Sequence, residues 1–168
     1  MNDIVKIDKI SLFLANAARA AAGACRLKDK DKLADKVLEL VPKGASVFCP
    51  QSTKLEKAAA GKLSRIVADY GSAKITVEEV SAAIAETGSI VCDSSGGKAV
   101  QASLLPSRYI AIVPREKIFA TLDDFFNRYS VSTPTNITLI TGPSRTVDIE
   151  LGLAIGVHGP ERLDIIVV

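Results

Sequence analysis

The first half of the chain alternates between helix-like and strand-like patterns of hydrophobic positions. Apolar residues recur every three to four positions in three segments, which predicts helices over residues 8–22, 33–41 and 54–63. Short apolar runs predict strands at residues 45–49 and 74–77. Residues 78–85 begin with two acidic side chains, which favour the positive end of a helix dipole, so this segment is predicted as a fourth helix.

Beyond residue 86 the pattern changes to strands joined by loops of small residues. Strands are predicted at residues 89–92, 109–113, 137–141 and 163–168, with one helix at residues 121–128. The runs at 109–113 and 137–141 are apolar throughout, as expected of central strands that are buried on both faces. Strands alternating with helices indicate an α/β fold with a mostly parallel sheet covered on both sides. Residues 1–168 are predicted to form a single domain, because no repeat or linker divides them.

Composition and charge exclude several classes of protein. Of the 168 residues, 48% are hydrophobic and 24% charged, which is typical of a globular domain and excludes disorder. A net charge of +2 and an aromatic content of 5% argue against a nucleic-acid partner. Residues 12–25 resemble a short export signal, but Asp3 and Asp8 precede them and Arg19 interrupts them. We therefore expect an amphipathic helix there, no membrane span and a cytoplasmic protein.

Cysteine and histidine usage limits the cofactors that this chain could hold alone. Cys25, Cys49 and Cys92 are widely separated, no C-x-x-C motif occurs, and His158 is the single histidine. This pattern argues against a disulfide framework and against a conventional zinc, haem or iron–sulfur site on the chain itself. Cys49 and Cys92 lie in predicted strands, where we expect buried small hydrophobic residues rather than nucleophiles.

The most unusual segment is Thr-Gly-Pro-Ser-Arg-Thr at residues 141–146. A predicted strand ends in a Gly-Pro turn, after which Ser144 or Thr146 could cap a helix whose free N–H groups and dipole would bind an anion. The candidate ligand-binding residues of this segment are Gly142, Ser144, Arg145, Thr146, Asp148 and Glu150. In the alternative interpretation, the hydroxyl groups only cap the helix and Arg145 only pairs with the acidic residues.

Two further positions could carry chemistry. Glu86 is predicted to end a helix, where its carboxylate opposes the dipole, and Thr87 and Gly88 form a tight turn into a buried strand. Glu86 could act in catalysis, or it could be an exposed side chain beside an ordinary glycine cap. His158 could be a general acid or base, or a loop residue bonded to the backbone. The loop at residues 93–97 could hold a ligand or be a plain connection.

Three segments in order resemble one protein family. The C-terminal sequence TGPSRTVDIELGLAIGVHGPERLDIIVV, together with AIAETGSIV and SLLPSRYIAIVP, resembles the lactate-utilisation protein C family (LutC/YkgG), which belongs to the LUD-domain group. The resemblance covers residues 74–168 well, and Glu86, Thr87, Arg145 and His158 match its signature by position. Tyr109 departs from the family pattern, because a histidine is common there.

The resemblance implies a fold and a role. The fold would be a three-layer α/β/α Rossmann-like sheet, similar to the sugar-phosphate isomerase, CoA-transferase and formyltetrahydrofolate cyclo-ligase superfamily. The chain would be an accessory, non-redox subunit in the oxidation of L-lactate to pyruvate, with the iron–sulfur clusters on two partner proteins. It would bind a small organic anion or its partner subunits at the TGPSRT loop. Alternatively, it would be a stand-alone enzyme acting on a phosphorylated, CoA-linked or carboxylate metabolite, with Glu86 or His158 as acid or base.

Overall fold

A computed structural model describes residues 8–128, 134–147, 153–155 and 159–168 of the protein. The helices are α1 (Lys9–Arg19), α2 (Leu33–Leu40), α3 (Lys54–Ala60) and α4 (Leu122–Asn127). The strands are β1 (Gly23–Arg26), β2 (Val47–Phe48), β3 (Ile66–Val67), β4 (Ile75–Glu79), β5 (Ala82–Ile84), β6 (Ser89–Asp93), β7 (Arg108–Val113), β8 (Ile118–Phe119), β9 (Ile137–Ile140), β10 (Arg145–Val147), β11 (Leu153–Ile155) and β12 (Arg162–Val167). Within these residues no helix combines the length and the apolar character needed to cross a bilayer.

Six parallel strands form the main sheet, in the order β1-β12-β7-β4-β2-β3. The two longest, β7 and β12, lie next to each other near the centre, and β7 is flanked on its other side by β4. The predicted central strand at residues 109–113 is therefore confirmed, as is the mostly parallel sheet of an α/β fold. Because all six strands run in one direction, their carboxyl ends meet at a single edge.

The two faces of β7 belong to two different core clusters. Ile110 and Ile112 pack with helices α2 and α3 on one face. Tyr109, Ala111 and Val113 point to the other face, where α1 and strands of a second sheet cover them. This alternation follows from the two-residue period of a strand. Helices therefore flank the main sheet as predicted, although one of its covering layers also contains a sheet.

The second sheet has four strands in the order β8-β5-β6-β9. Strands β5 and β6 form an antiparallel hairpin, and β9 pairs antiparallel with β6 at the edge. Residues 137–141, predicted as a central strand of a parallel sheet, are therefore an edge strand here. Leu139 is exposed on this strand, which shows that a continuous apolar run did not require burial on both faces.

Two predicted helices are wrong. Residues 78–85 continue β4 and then form β5, because this stretch is buried and follows the β-branched residues Ile75, Thr76 and Val77. The acidic pair that suggested a helix N-terminus lies on the strand itself. The helix predicted after Gly142 is instead the antiparallel pair β10 and β11. As a result of these two differences, Glu86 follows strand β5 and Ser144 precedes strand β10, and neither flanks a helix.

Candidate functional site

The Glu86–Thr87–Gly88 segment is the turn of the β5–β6 hairpin and packs against the end of α1. Gly88 has a φ of +71°, and a Cβ there would overlap the backbone of Ala17. The Asn16 side chain donates to the backbone oxygen of Glu86 at 3.0 Å. The Glu86 carboxylate accepts from the backbone N–H of Leu122 at 2.7 Å, at the start of α4. These contacts join the β5–β6 hairpin of the second sheet to helices α1 and α4.

Hydroxyl groups join the turn to the next signature segment. Ser89 Oγ lies 2.7 Å from Thr87 Oγ1 and 2.6 Å from Thr141 Oγ1. The Thr87 hydroxyl therefore has a hydrogen-bond partner within the protein. A catalytic role for Glu86 and a binding role for Thr87 and Gly88 stay predictions.

The TGPSRT segment begins with a close approach to α1. Gly142 has a φ of +74°, and a Cβ there would overlap the carbonyl oxygen of Ala20. The Ser144 backbone N–H donates to Pro160 at 2.9 Å. The backbones of Arg145 and Thr146 lie in β10, whereas Asp148, Glu150 and His158 fall outside the described residues. Ligand binding by this segment stays a prediction.

A cluster of buried charges lies at the carboxyl edge of the main sheet, where ligands bind in open parallel α/β sheets. Three glutamates, Glu56, Glu78 and Glu79, are at most 7% exposed. Two lysines face them: Lys98, after the loop that follows β6, and Lys117, in the turn after β7. Five interacting ionisable groups at this edge make it the candidate functional site.

Glu56 is held by the backbone around it. Its Oε2 accepts from the N–H groups of Ser52 at 2.8 Å and Thr53 at 3.1 Å, which closes the capping box at the start of α3. Its Oε1 accepts from the N–H of Glu79 at 3.0 Å. The Lys98 Nζ lies 3.8 Å from the same Oε1. Glu56 thus connects α3, β4 and the loop that carries Lys98.

Glu78 lies between Tyr109 and Lys98. The Tyr109 hydroxyl donates to Glu78 Oε2 at 3.2 Å, and Lys98 Nζ lies 3.7 Å from Oε1. Burial raises the pKa of Glu78, and the Lys98 charge and the Tyr109 hydrogen bond oppose this rise without reversing it. A buried carboxyl with a raised pKa beside a cation is a common arrangement at sites that move or hold protons. Tyr109, which departs from the family pattern, supplies the hydrogen bond.

Glu79 titrates in the opposite direction. Burial alone would raise its pKa, but hydrogen bonds from Lys117 and Thr53 and the charges of Lys117 and Lys98 outweigh burial and lower it. Lys117 Nζ lies 2.7 Å from Glu79 Oε1. Lys98 Nζ also donates to the Glu79 backbone oxygen at 2.8 Å. The two neighbouring acids therefore have pKa values shifted apart, which is typical of groups with different roles in one site.

Cavities open on both sides of Lys98. The larger, of about 500 Å³, is lined by Lys98, Lys117 and Arg128 together with Thr53, Ser81, Ala82, Asp93, Ser95, Phe119 and Phe125. The smaller, of about 330 Å³, is lined by Lys98, Glu78, Ser52 and the aromatic residues Phe48 and Tyr70, among others. Arg128 stacks over the Phe119 ring at 5.7 Å. Residues of the loop at 93–97, for which a ligand role was one alternative, line both cavities, as Lys98 does.

The buried cysteines are thiols of low reactivity. Cys92 is 6% exposed and lies 3.5 Å from the Tyr109 hydroxyl, and burial raises its pKa to about 11. Burial also raises the pKa of Cys49 to about 11. Few thiolates exist at neutral pH under these conditions, and the predicted burial of both residues is confirmed. In the part of the chain that the structure describes, no three histidine, cysteine or acidic side chains are grouped to hold a metal ion.

Sequence reasoning missed this site because it placed Glu78 and Glu79 in a helix. A usable signal was present: paired acids directly after a β-branched run, and a Gly-Gly-Lys sequence after a later strand. The hairpin turn with Glu86 lies at the opposite end of β6 from Asp93, roughly 13 Å away for five extended residues. The Glu86 turn and the Lys98 cluster are therefore separate regions of the molecule.

The raised pKa of Glu78 predicts that the difference in stability between the wild type and Glu78→Gln depends on pH. Its pKa is higher in the folded protein than in the unfolded chain, so Glu78 stabilises the fold below the unfolded value. This contribution is lost as the pH rises through the folded pKa. Glu78→Gln should therefore gain stability relative to the wild type over that window, by at most about 1.4 kcal/mol per pH unit. Urea denaturation of both proteins across the acidic range measures the difference, and a constant difference would contradict the raised pKa.

The parallel sheet and its flanking helices define an α/β protein with a charged cleft at the carboxyl edge of the sheet. The chain belongs to the LUD domain family, whose model matches residues 65–168. It is similar to proteins named Lactate utilization protein C from Oceanobacillus iheyensis (33% identity over 119 residues, 66% of this chain and 49% of that protein) and Macrococcus caseolyticus (40% over 108 residues, 61% and 46%). The chain spans about half the length of these curated relatives.

A solved structure supports the fold over nearly the whole chain. The crystal structure of a DUF162 family protein from Deinococcus radiodurans superposes with a TM-score of 0.73 and covers 95% of this chain and 96% of its own. The two sequences are 19% identical, so this likeness concerns the fold alone. Because it covers 95% of this chain, the superposition includes most of residues 1–64, which lie outside the family match.

Proposed function

We propose that this chain is a cytoplasmic, non-redox component of a lactate-utilisation system that binds a small organic anion around Lys98 and Lys117. The observation that carries the proposal is that both lysines line one cavity at the carboxyl edge of the main sheet. Lysine ammonium groups in a partly enclosed site recognise carboxylates well, because charge-assisted hydrogen bonds are strong there. The names of the curated relatives supply the metabolic context.

In this proposal, the chain binds the anion and its partner proteins accept the electrons. Oxidation of L-lactate to pyruvate removes an electron pair, which needs an acceptor. We assign the acceptors to iron–sulfur clusters on partner proteins, in keeping with the family resemblance and with the scattered cysteines of this sequence. This chain would then hold the organic anion or present it to the partners.

We place the anion at Lys98 rather than at the TGPSRT loop. Gly142 is buried against α1 and the Ser144 N–H is already bonded to Pro160, which leaves these two positions little to offer a ligand. A stand-alone enzyme that uses Glu86 is less favoured, because the Glu86 carboxylate accepts from the backbone of α4.

Growth on lactate tests the proposal in the native host. Deleting the gene should abolish growth on L-lactate as sole carbon source, and the wild-type chain should restore it. Lys98→Met and Lys117→Met should restore growth poorly, with at least tenfold weaker anion binding for the loss of one charged partner. Lys62→Met is the matched control, because Lys62 pairs with Asp35 on the surface outside the site.

Co-purification separates the two halves of the proposal. A tagged wild-type chain from lactate-grown cells should retain proteins that contain iron and inorganic sulfide. Intact lactate growth after deletion would contradict the role in lactate utilisation. A chain recovered without such partners would contradict the subunit role.

A further inference from the structure

Around Lys98, the carboxyl groups outnumber the lysines that pair with them, so an added anion would have no cation of its own. Three buried carboxyl groups contact the two lysines: Glu56, Glu78 and Glu79. Among the residues that the structure describes, Lys98 and Lys117 are the two cations that pair with these three groups. A carboxylate ligand that pairs with Lys98 would compete with Glu56 and Glu78 for the same ammonium group. A proton taken up with the anion would remove this conflict.

Hydrogen-bond geometry selects the group that can take the proton. Both oxygens of Glu56 already accept backbone N–H groups, and the Glu79 carboxylate accepts hydrogen bonds from both Lys117 and Thr53. Glu78 differs, because its Oε1 lies 3.7 Å from Lys98 Nζ, beyond hydrogen-bond distance, while Tyr109 occupies only Oε2. Glu78 Oε1 therefore has room for a hydrogen, and the smaller cavity lies beside Glu78.

Three further titratable groups that face Glu78, namely Cys92, Cys49 and Tyr109, are neutral and remain so. Cys92 on β6 and Cys49 after β2 have pKa values of about 11, raised by burial. The pKa of Tyr109 on β7 is raised well above its ordinary value, also by burial. None of the three can accept a proton near neutral pH. Asp69 lines the smaller cavity and Arg128 the larger one, but both side chains are exposed, so water screens their charges.

We infer that a small carboxylate binds beside Lys98 together with one proton from solvent, which Glu78 takes up on the oxygen that faces Lys98. The inference deepens the proposed function and rests on its anion site. The bound anion, in the larger cavity, replaces Glu78 as the partner of Lys98, and the smaller cavity beside Glu78 gives the proton access to its carboxylate. The net charge of the site is then unchanged by binding.

The coupling fixes the direction of the pH dependence. Because a proton enters with the anion, affinity falls as the pH rises above the pKa of Glu78 in the free protein. The limiting slope is about tenfold in affinity per pH unit, until the pKa of Glu78 in the complex is passed. Binding without proton uptake would show no such slope from this group.

Calorimetry with pyruvate as the probe tests the inference. Titrations in buffers of different ionisation enthalpy give the number of protons taken up, which should approach about one per pyruvate for the wild type. Glu78→Gln, which carries a neutral amide in the same shape, should bind pyruvate at least as tightly at neutral pH with an uptake near zero. Glu39→Gln is the control, because Glu39 pairs with Lys36 on the surface and should behave as the wild type.

Tyr109→Phe is a second test variant. A purely structural role of Tyr109 would not produce the shift in pH dependence that we expect from it. The Tyr109 hydrogen bond favours the ionised form of Glu78, so its removal raises the Glu78 pKa further. Proton uptake should persist in this variant, and its pH window should move upwards. Circular dichroism of each variant establishes that it is folded.

Three results would overturn the inference: no binding of pyruvate to the wild type, binding without proton uptake, or full uptake retained by Glu78→Gln. These results are distinct from failure of the proposed function. Proton-coupled pyruvate binding together with normal lactate growth of the deletion strain would remove the metabolic role and keep the inference. A growth defect combined with uncoupled binding would do the reverse.

Discussion

Gly142→Ala should lower the free energy of unfolding by about 2–5 kcal/mol. A φ of +74° costs an alanine about 1–2 kcal/mol, and overlap with the Ala20 carbonyl oxygen adds about 1–3 kcal/mol of packing strain. Because Gly142 joins the second sheet to the end of α1, the strain acts between two elements of the fold. Urea denaturation followed by circular dichroism measures the loss.

Gly44→Ala separates the two contributions. Gly44 has a φ of +80°, but a Cβ there would meet no atom within 4 Å. Its alanine variant should therefore lose only the backbone contribution of about 1–2 kcal/mol. Equal losses in the two variants would show that contact with α1 contributes nothing at Gly142.

The parallel core could be predicted because its signals are local. The apolar run of β7 and the amphipathic patterns of α1 and α2 each fix an element through its own residues. The short strand β1 was missed, because Gly23 and Ala24 carry no strand signal. It forms because β12 beside it offers backbone hydrogen bonds, which is a property of the assembled sheet.

The site could not be predicted for a related reason. Glu78 and Glu79 extend the buried strand that residues 75–77 begin, and their carboxylates meet Lys98, Lys117 and Tyr109, which are 20 to 38 positions away along the chain. Local propensity for acidic residues favours a helix start, and these long-range partners override it. The error at residues 78–85 therefore arises where burial and long-range pairing, rather than local propensity, decide the structure.

The family signature shows the opposite relation between pattern and chemistry. Glu86, Gly88 and Gly142 are prominent in the sequence, and each contacts another element of the fold through its backbone or by capping α4. A glycine that is required by a positive φ and by close contact with a helix is conspicuous in the sequence for a structural reason alone. The predicted turn at Thr87 and Gly88 is confirmed, whereas the catalytic role of Glu86 stays a prediction.

Glu56→Ala should cost about 3–5 kcal/mol, because it removes a buried, hydrogen-bonded charge and leaves its partners unpaired. Three backbone N–H groups, those of Ser52, Thr53 and Glu79, would lose their acceptor. Each unsatisfied buried donor costs about 1–3 kcal/mol unless water enters. Glu56→Gln keeps the shape and one acceptor oxygen, so we expect a loss of about half as much.

The same capping motif on the surface provides the matched control. Helix α4 begins with Thr121 and Asp124 in a capping box like that of Thr53 and Glu56, but Asp124 is exposed. Asp124→Ala should therefore cost only about 0.5–1 kcal/mol. Chemical denaturation of Glu56→Ala and Asp124→Ala compares the two boxes directly. If both lose the same small amount, Glu56 is an ordinary helix cap. A loss several times larger at Glu56 would mean that one carboxylate secures α3, β4 and the Lys98 loop together, so that the anion site rests on the same contacts as the fold.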